Sequence, residues 1–310
     1  MADQTAGSPY GELQYVKVFG PNANCTLDIC PVEMSVYGYR PSLAANFTFL
    51  GLYVLSALVH TYLGFRWKSY SFMAFMIVGA INAVVGYAGR IMLYYNPFNF
   101  TAFMMQIICI TSGPVYYSAS IYITLSSSIK HFAPSLSRVR PELLYWIFIP
   151  CDIVCLCFQA AGGGLSTSTS GKSQMGVDMA LVGLSLQVAA MVIFCALFAD
   201  YLVRYYRSDF YRNEAGAKLG MRSKLFFGFL ALAIVLILVR CAYRLVELKD
   251  GYSGNLIRDE GLFIGLEGVM VVAAVYSLAT GHPGFGLRKG SPKQQKVENA
   301  GNIGQGHDVL

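Results

Sequence analysis

The sequence contains few charged residues. Asp, Glu, Lys and Arg make up 13% of its 310 residues, whereas a soluble globular domain has roughly 25%. Hydrophobic residues make up 55% of the chain, and the mean hydropathy is +0.49. This composition excludes an ordinary soluble domain and predicts an integral membrane protein.

Groups that catalysis or ATP binding would need are also scarce. Of the four histidines only His60 falls inside an apolar run, so a zinc hydrolase with about three protein ligands is not expected. The segment 166–173 ends like a phosphate-binding loop, but it begins with Ser166 where that motif requires glycine. We therefore expect no enzyme, no metal, no cofactor and no ATP-driven transport by this chain alone.

Signatures of other large membrane and binding classes are absent as well. The third apolar run ends in Ser-Ser-Ser-Ile-Lys at 126–130, without the acidic-Arg-aromatic triplet of G-protein-coupled receptors. The last run has no Asn-Pro-x-x-Tyr and no lysine for a retinal Schiff base. No basic stripe interleaved with aromatics is visible, so we expect no nucleic-acid partner.

Apolar runs long enough to cross a bilayer, about 17–25 residues each, dominate the chain. They lie near 42–64, 71–93, 101–126, 143–161, 176–203, 225–247 and 260–280. These runs predict an all-α, polytopic bundle of seven transmembrane helices. We divide the chain into an extracellular N-terminal tail (1–41), the membrane domain (42–285) and a disordered cytosolic tail (286–310).

The basic residues orient the bundle, because cytosolic loops carry an excess of Lys and Arg. Fifteen lie on the side of the C-terminal tail and only five on the other side. This predicts an external N-terminus, a cytosolic C-terminus and a plasma-membrane location. The basic loop 204–224 is then cytosolic and is a candidate site for a cytosolic partner.

One apolar run ends in a polar helix face. Arg240, Tyr243, Arg244 and Glu247 are spaced i, i+3, i+4, i+7 and share one side of a helix. Charges inside a membrane are costly unless they are compensated, and they commonly line functional sites. The other polar residues predicted in or next to the membrane are Arg90, Gln106, Asp152, Gln159, Gln187, Glu260 and Glu267.

Two interpretations of these residues stay open: a structural ion-pair network, or a polar pocket for a ligand. In a pocket, the arginines would contact an anionic headgroup and the carboxylates an amine headgroup or a proton. Gln106, Gln159, Gln187 and Tyr243 would supply neutral hydrogen bonds. Separately, Cys25 and Cys30 lie in the segment predicted to be external, where a disulfide between them is plausible.

Motifs spread over about 200 residues resemble the fungal RTA-like, or lipid-translocating exporter, family. They include Gly86-Tyr87-x-Gly89-Arg90, then Asp152 with Gln159-Ala-Ala-Gly-Gly-Gly164, and Arg240-x-x-Tyr243-Arg244-x-x-Glu247. His282-Pro-Gly284 follows, and Glu267 stands where the family usually has aspartate. The resemblance implies a seven-span protein that translocates amphipathic molecules such as sphingoid bases, with links to drug resistance.

The residues and the resemblance together favour a transporter of an amphipathic lipid or xenobiotic. The alternative is a seven-transmembrane lipid or stress sensor that binds lipid without moving it.

Overall fold

The computed structural model of the protein is helical. It describes residues 16–132, 137–168, 174–208, 217–249 and 256–286. Six long helices are α1 (Leu43–Trp67), α2 (Tyr70–Tyr95), α3 (Phe100–Phe132), α4 (Pro141–Ser168), α5 (Gln174–Arg207) and α6 (Ala217–Lys249). Helix α7 consists of Glu260–Leu262, a π-helical segment Phe263–Val269, and Met270–Thr280. Short helices span Val32–Met34, Leu256–Arg258 and Pro283–Gly286.

Six of these helices are long and apolar enough to cross a membrane: α1, α2, α4, α5, α6 and α7. Large apolar side chains such as Leu58, Trp146 and Ile193 are exposed on their outer faces, where a bilayer would cover them. The chain is therefore an all-α integral membrane protein, as the composition predicts. Helix α3 does not meet the same apolarity criterion, so the expected count of seven spans stays a prediction.

The helices pack in chain order around one core. Each helix from α1 to α6 contacts the next, α6 contacts α7, and α7 returns to α1. Helix α3 also contacts α6. Because α3 is held between α2 and α4, its side chains line the interior of the bundle.

Residues 16–41, which we call the N-terminal cap, are folded onto the bundle. Phe19 lies 5.2 Å from the ring of Phe103 at the start of α3. Cys25 and Cys30 are joined in a disulfide and are buried. The expected polar tail is thus a packed element over its described part, because its aromatic side chains cover the ends of α2 and α3.

Two predicted features fall largely outside the described residues. The tail beyond residue 286 is one of them. The other is the basic loop 204–224, where residues 209–216 and the side chains of 217–222 are not described. The disorder of the tail and the partner-binding role of the loop stay predictions.

Helices α4 and α5 approach closely enough for glycine to be required. A Cβ atom on Gly162 would lie 2.5 Å from the backbone nitrogen of Ala180, and one on Gly176 would lie 2.6 Å from that of Ser166. Since backbone cannot yield as a flexible side chain can, the two helices depend on these glycines for their separation.

We expect Gly162→Ala to destabilise the protein by about 1–3 kcal/mol, the usual cost of overpacking. Gly51→Ala is the control, because no atom lies within 4 Å of a Cβ at that position on α1. That control should be neutral or stabilising by up to about 1 kcal/mol through helix propensity. Thermal unfolding of the purified protein in detergent measures both changes. Equal effects at the two sites would contradict the close packing of α4 on α5.

Candidate functional site

A buried ion pair joins α6 to α7. Arg240 Nη2 donates to Glu267 Oε1 at 2.5 Å and to the carbonyl oxygen of Ile110 on α3 at 3.1 Å. Both side chains are 2% exposed. Glu267 lies in the π-helical segment, a geometry often found at functional sites. The pair therefore holds three helices together in the bundle interior.

Arg244 extends this pair into a network. Its Nη1 donates to Glu247 Oε2 at 2.6 Å and lies 3.9 Å from Glu267 Oε2. Its Nη2 donates to Thr111 Oγ1 on α3 at 3.3 Å. Two arginines and two carboxylates thus compensate each other, which offsets the cost of burying each charge. Within the predicted face 240–247, Arg240 pairs with Glu267, whereas Arg244 hydrogen-bonds Glu247 and also lies within 4 Å of Glu267.

Arg90 belongs to a second group under the N-terminal cap. Its Nη2 donates to the Tyr39 hydroxyl at 2.8 Å and lies 3.9 Å from Glu260 Oε1, while its guanidinium lies 3.6 Å from the ring centre of Phe263. Glu260 Oε1 also accepts a 2.6 Å hydrogen bond from the backbone nitrogen of Ser42. This group fastens the starts of α1 and α7 to α2.

The cap also covers Gln106 on α3. Gln106 Nε2 donates to the Tyr37 hydroxyl at 2.6 Å. Burial raises the pKa of Tyr37 and of Tyr39 above the ordinary value, and this effect outweighs the opposing effect of the nearby Arg90 guanidinium. Both phenols therefore stay neutral at physiological pH and serve as hydrogen-bond acceptors for side chains inside the bundle.

A cavity of about 400 Å³ lies beside the ion-pair network. Most of its wall is apolar, formed by α3 and α4 with parts of α5 and α6. Its polar wall is formed by Asn82, Thr111, Ser112, Tyr116, Gln159 and Arg244. The cavity thus combines a few polar groups with a largely apolar lining, as a site for an amphipathic molecule would.

The cavity opens sideways between α3 and α4. Ile108 and Ile153, which line it from the two helices, are 52% and 53% exposed. Cys157, one turn further along α4, is exposed too. Helix α4 is long and apolar enough to cross a membrane, so a bilayer around it would place acyl chains beside this opening.

Gln159 and Gln187 link α4 to α5 at this cavity. Gln159 Nε2 donates to Gln187 Oε1 at 2.8 Å. The other amide atom of Gln159, its Oε1, is buried and has no hydrogen-bond partner among the described residues. A buried carbonyl oxygen without a partner is unfavourable, so this amide is held in place at a cost.

The sequence-predicted polar residues do not converge on one pocket. Arg240, Arg244, Glu247 and Glu267 form the ion-pair network, and Arg90, Gln106 and Glu260 lie under the cap. Of all the candidates, only Arg244 and Gln159 line the cavity. Gln187 lies behind Gln159. Asp152 is remote from the arginines and accepts a hydrogen bond from Tyr122. The Tyr243 hydroxyl is buried without a partner among the described residues.

Sequence reasoning missed several of the contacts. Thr111 and Ser112 line the cavity from α3, but isolated hydroxyl residues are common in membrane helices and carry no distinct signal. Tyr37 and Tyr39 lie outside the membrane spans, where no pattern connects them to Arg90 and Gln106. Only the folding of the cap brings them together.

The Arg240–Glu267 pair gives a test of the network. Arg240→Met or Glu267→Leu alone should destabilise the protein by about 3–5 kcal/mol, since each leaves a buried charge without its partner. The double variant should recover most of that loss. Thermal unfolding in detergent, analysed as a double-mutant cycle, measures the coupling. Additive losses would show that the two side chains are not paired.

The chain is similar in sequence to known proteins. The family model described as RTA1 like protein matches residues 76–290. The chain is 32% identical over 287 residues to the sphingoid long-chain base transporter RSB1 of Saccharomyces cerevisiae (strain Lalvin EC1118 / Prise de mousse). The matched region covers 82% of this chain and 75% of that protein. It is 29% identical over 220 residues to Protein RTM1 of Saccharomyces cerevisiae, at 66% of each chain.

A third relative is the protoporphyrin uptake protein 1 of Saccharomyces cerevisiae (strain ATCC 204508 / S288c). It is 26% identical over 218 residues, at 68% of each chain. No solved structure matches the chain. The family match spans the second to the seventh long helix and includes both buried ion-pair groups and the cavity. The protein belongs to the RTA1-like family.

Proposed function

We propose that the protein is a membrane transporter that moves amphipathic, lipid-like molecules, and that the α3–α4 cavity is its substrate site. The observation that carries the proposal is the cavity itself, with a polar wall at Arg244 and an apolar opening toward the bilayer. Two relatives named for the transport or uptake of amphipathic molecules support the same class of function.

The cavity accommodates an amphipathic molecule in one orientation. The headgroup lies against Thr111, Gln159 and Arg244, which offer a hydroxyl, an amide and a guanidinium. The chain leaves between Ile108 and Ile153 and stays in the hydrocarbon region. Since most of the lining is apolar and a few polar groups fix the orientation, the cavity has the make-up of a small-molecule site.

The charges on the wall bear on the substrate. Arg244 is the one charged side chain among the described lining residues, and Glu247 lies behind it as its ion-pair partner. A hydroxylated or anionic headgroup therefore fits without rearrangement, whereas an amine would have to displace Arg244 to reach a carboxylate. Sphingoid bases, phospholipids and lipophilic toxic compounds are the substrates to compare, in lipid export or drug resistance.

We further propose that all seven long helices cross the plasma membrane, with the N-terminal cap outside. Helix α3 is the one in question, but its 33 residues span about 50 Å. It lies between α2 and α4, which are both long and apolar enough to cross a membrane. Its polar residues face the interior of the bundle. An odd number of crossings puts the cap and the C-terminus on opposite sides, in agreement with the basic loops.

Lipid movement in liposomes that contain only the purified protein tests the transport function. We expect movement of labelled phospholipid or sphingoid base, and a loss of at least about tenfold in Ile108→Trp, because an indole would fill the opening. Leu58→Trp is the matched control, since Leu58 is 64% exposed on α1, away from the cavity, and should move lipid at the normal rate. A tenfold loss corresponds to roughly 1.4 kcal/mol at the rate-limiting step.

Two results would contradict the proposal. Normal movement by a folded Ile108→Trp variant would exclude the cavity as the substrate site. Headgroup-selective binding without any movement by the wild-type protein would favour the lipid or stress sensor instead.

A further inference from the structure

Asp152 differs from every other buried carboxylate in the bundle. It lies on α4 and is 2% exposed, and its Oδ2 accepts a 3.0 Å hydrogen bond from the Tyr122 hydroxyl on α3. Each of Glu247, Glu260 and Glu267 lies within 4 Å of an arginine. Across the described ranges Asp152 has no ion-pair partner.

The groups that surround Asp152 carry no positive charge to compensate it. From α3 it faces Tyr122, and its titratable neighbours on α4 and α6 are Cys155 and Cys241. On the α5 side, Phe194 packs on the Tyr122 ring with ring centres 4.5 Å apart. Arg240 also contacts Cys241, but its Nη2 donates to Glu267 and to the carbonyl oxygen of Ile110, and it forms no ion pair with Asp152.

An ionised carboxylate in such surroundings is costly, because it is removed from bulk solvent and no described cation lies within 4 Å of it. Neutralisation by a proton removes that cost. The Tyr122 hydroxyl suits both forms, since it can donate to a carboxylate and accept from the O–H of a carboxylic acid. An arginine in its place would suit only the ionised form.

We propose that Asp152 is a proton-binding site, and that the proton it takes up and releases is the ion coupled to substrate movement. The second part rests on the transport function proposed above. Its position fits, because Ile153 and Leu156, next to it and one turn further along α4, both line the cavity. A proton on Asp152 and a substrate in the cavity would therefore act on the same helix.

Infrared spectroscopy of the purified, full-length protein tests proton binding whether or not the protein moves lipid. We expect the carbonyl stretch of a protonated carboxyl group near neutral pH, where exposed carboxyl groups are ionised. Asp152→Asn should lose this band. Tyr122→Phe should keep the band but shift its frequency, because the hydrogen bond is lost. Glu142→Gln is the control: Glu142 is exposed and pairs with Lys130, so the band should not change.

A wild-type protein without such a band, or a band that persists in folded Asp152→Asn, would overturn the proton-binding site. The amide of asparagine can still accept from Tyr122, so this variant is expected to fold.

Coupling is tested in proteoliposomes with and without a pH gradient. The gradient should speed lipid movement by the wild type and by Glu142→Gln several-fold, and it should have no effect on Asp152→Asn. Gradient-independent movement by the wild type would overturn the coupling. If no protein moves lipid at all, the proposed transport function and the coupling both fail, and the infrared band alone decides whether Asp152 binds a proton.

Discussion

The cost of burying three arginines governs the arrangement of this bundle. Arg90, Arg240 and Arg244 are fixed positive charges, since a guanidinium does not lose its proton in a protein. Each must therefore meet a carboxylate or a strong acceptor inside the bundle. The partners come from α3, α6, α7 and the N-terminal cap. The ion pairs thus fix α7 against α2 and α6, whereas other neighbouring helices, such as α4 and α5, are held by close packing.

The arginine charges are compensated by carboxylates, and different parts of the bundle have different surroundings. The network around Arg240 and Glu267 is sealed and serves chiefly to hold α3, α6 and α7. Arg244 belongs to that network but also faces the cavity, so it connects the rigid core to the substrate site. Helix α4 contributes Gln159 to the cavity and carries Asp152 about two turns earlier, where its carboxylate accepts a hydrogen bond from Tyr122 on α3. The geometry thus separates the ion-pair network from the cavity proposed to bind a headgroup and from the carboxylate proposed to bind a proton.

The sequence predicted the helical architecture well, because long apolar runs leave few alternatives in a membrane. Period and charge also identified the 240–247 face, whose two arginines and glutamate lie in the ion-pair network. The sequence could not show that Arg240 hydrogen-bonds Glu267 whereas Arg244 hydrogen-bonds Glu247. The π-helical segment of α7 is what brings Glu267 to the two arginines. The packing of the N-terminal cap could not be predicted for a similar reason, because Tyr37 contacts Gln106 only when the chain folds back over the bundle.

The account depends most on an amphipathic molecule occupying the α3–α4 cavity. Cross-linking with a lipid that carries a photoreactive group on its acyl chain, followed by mass spectrometry of the protein in membranes, tests this directly. We expect labels concentrated on Ile108, Ile153 and Cys157, with competition by excess unlabelled lipid. Labels spread evenly over the exposed outer faces, for example on Leu58 and Trp146, and insensitive to competitor would contradict it.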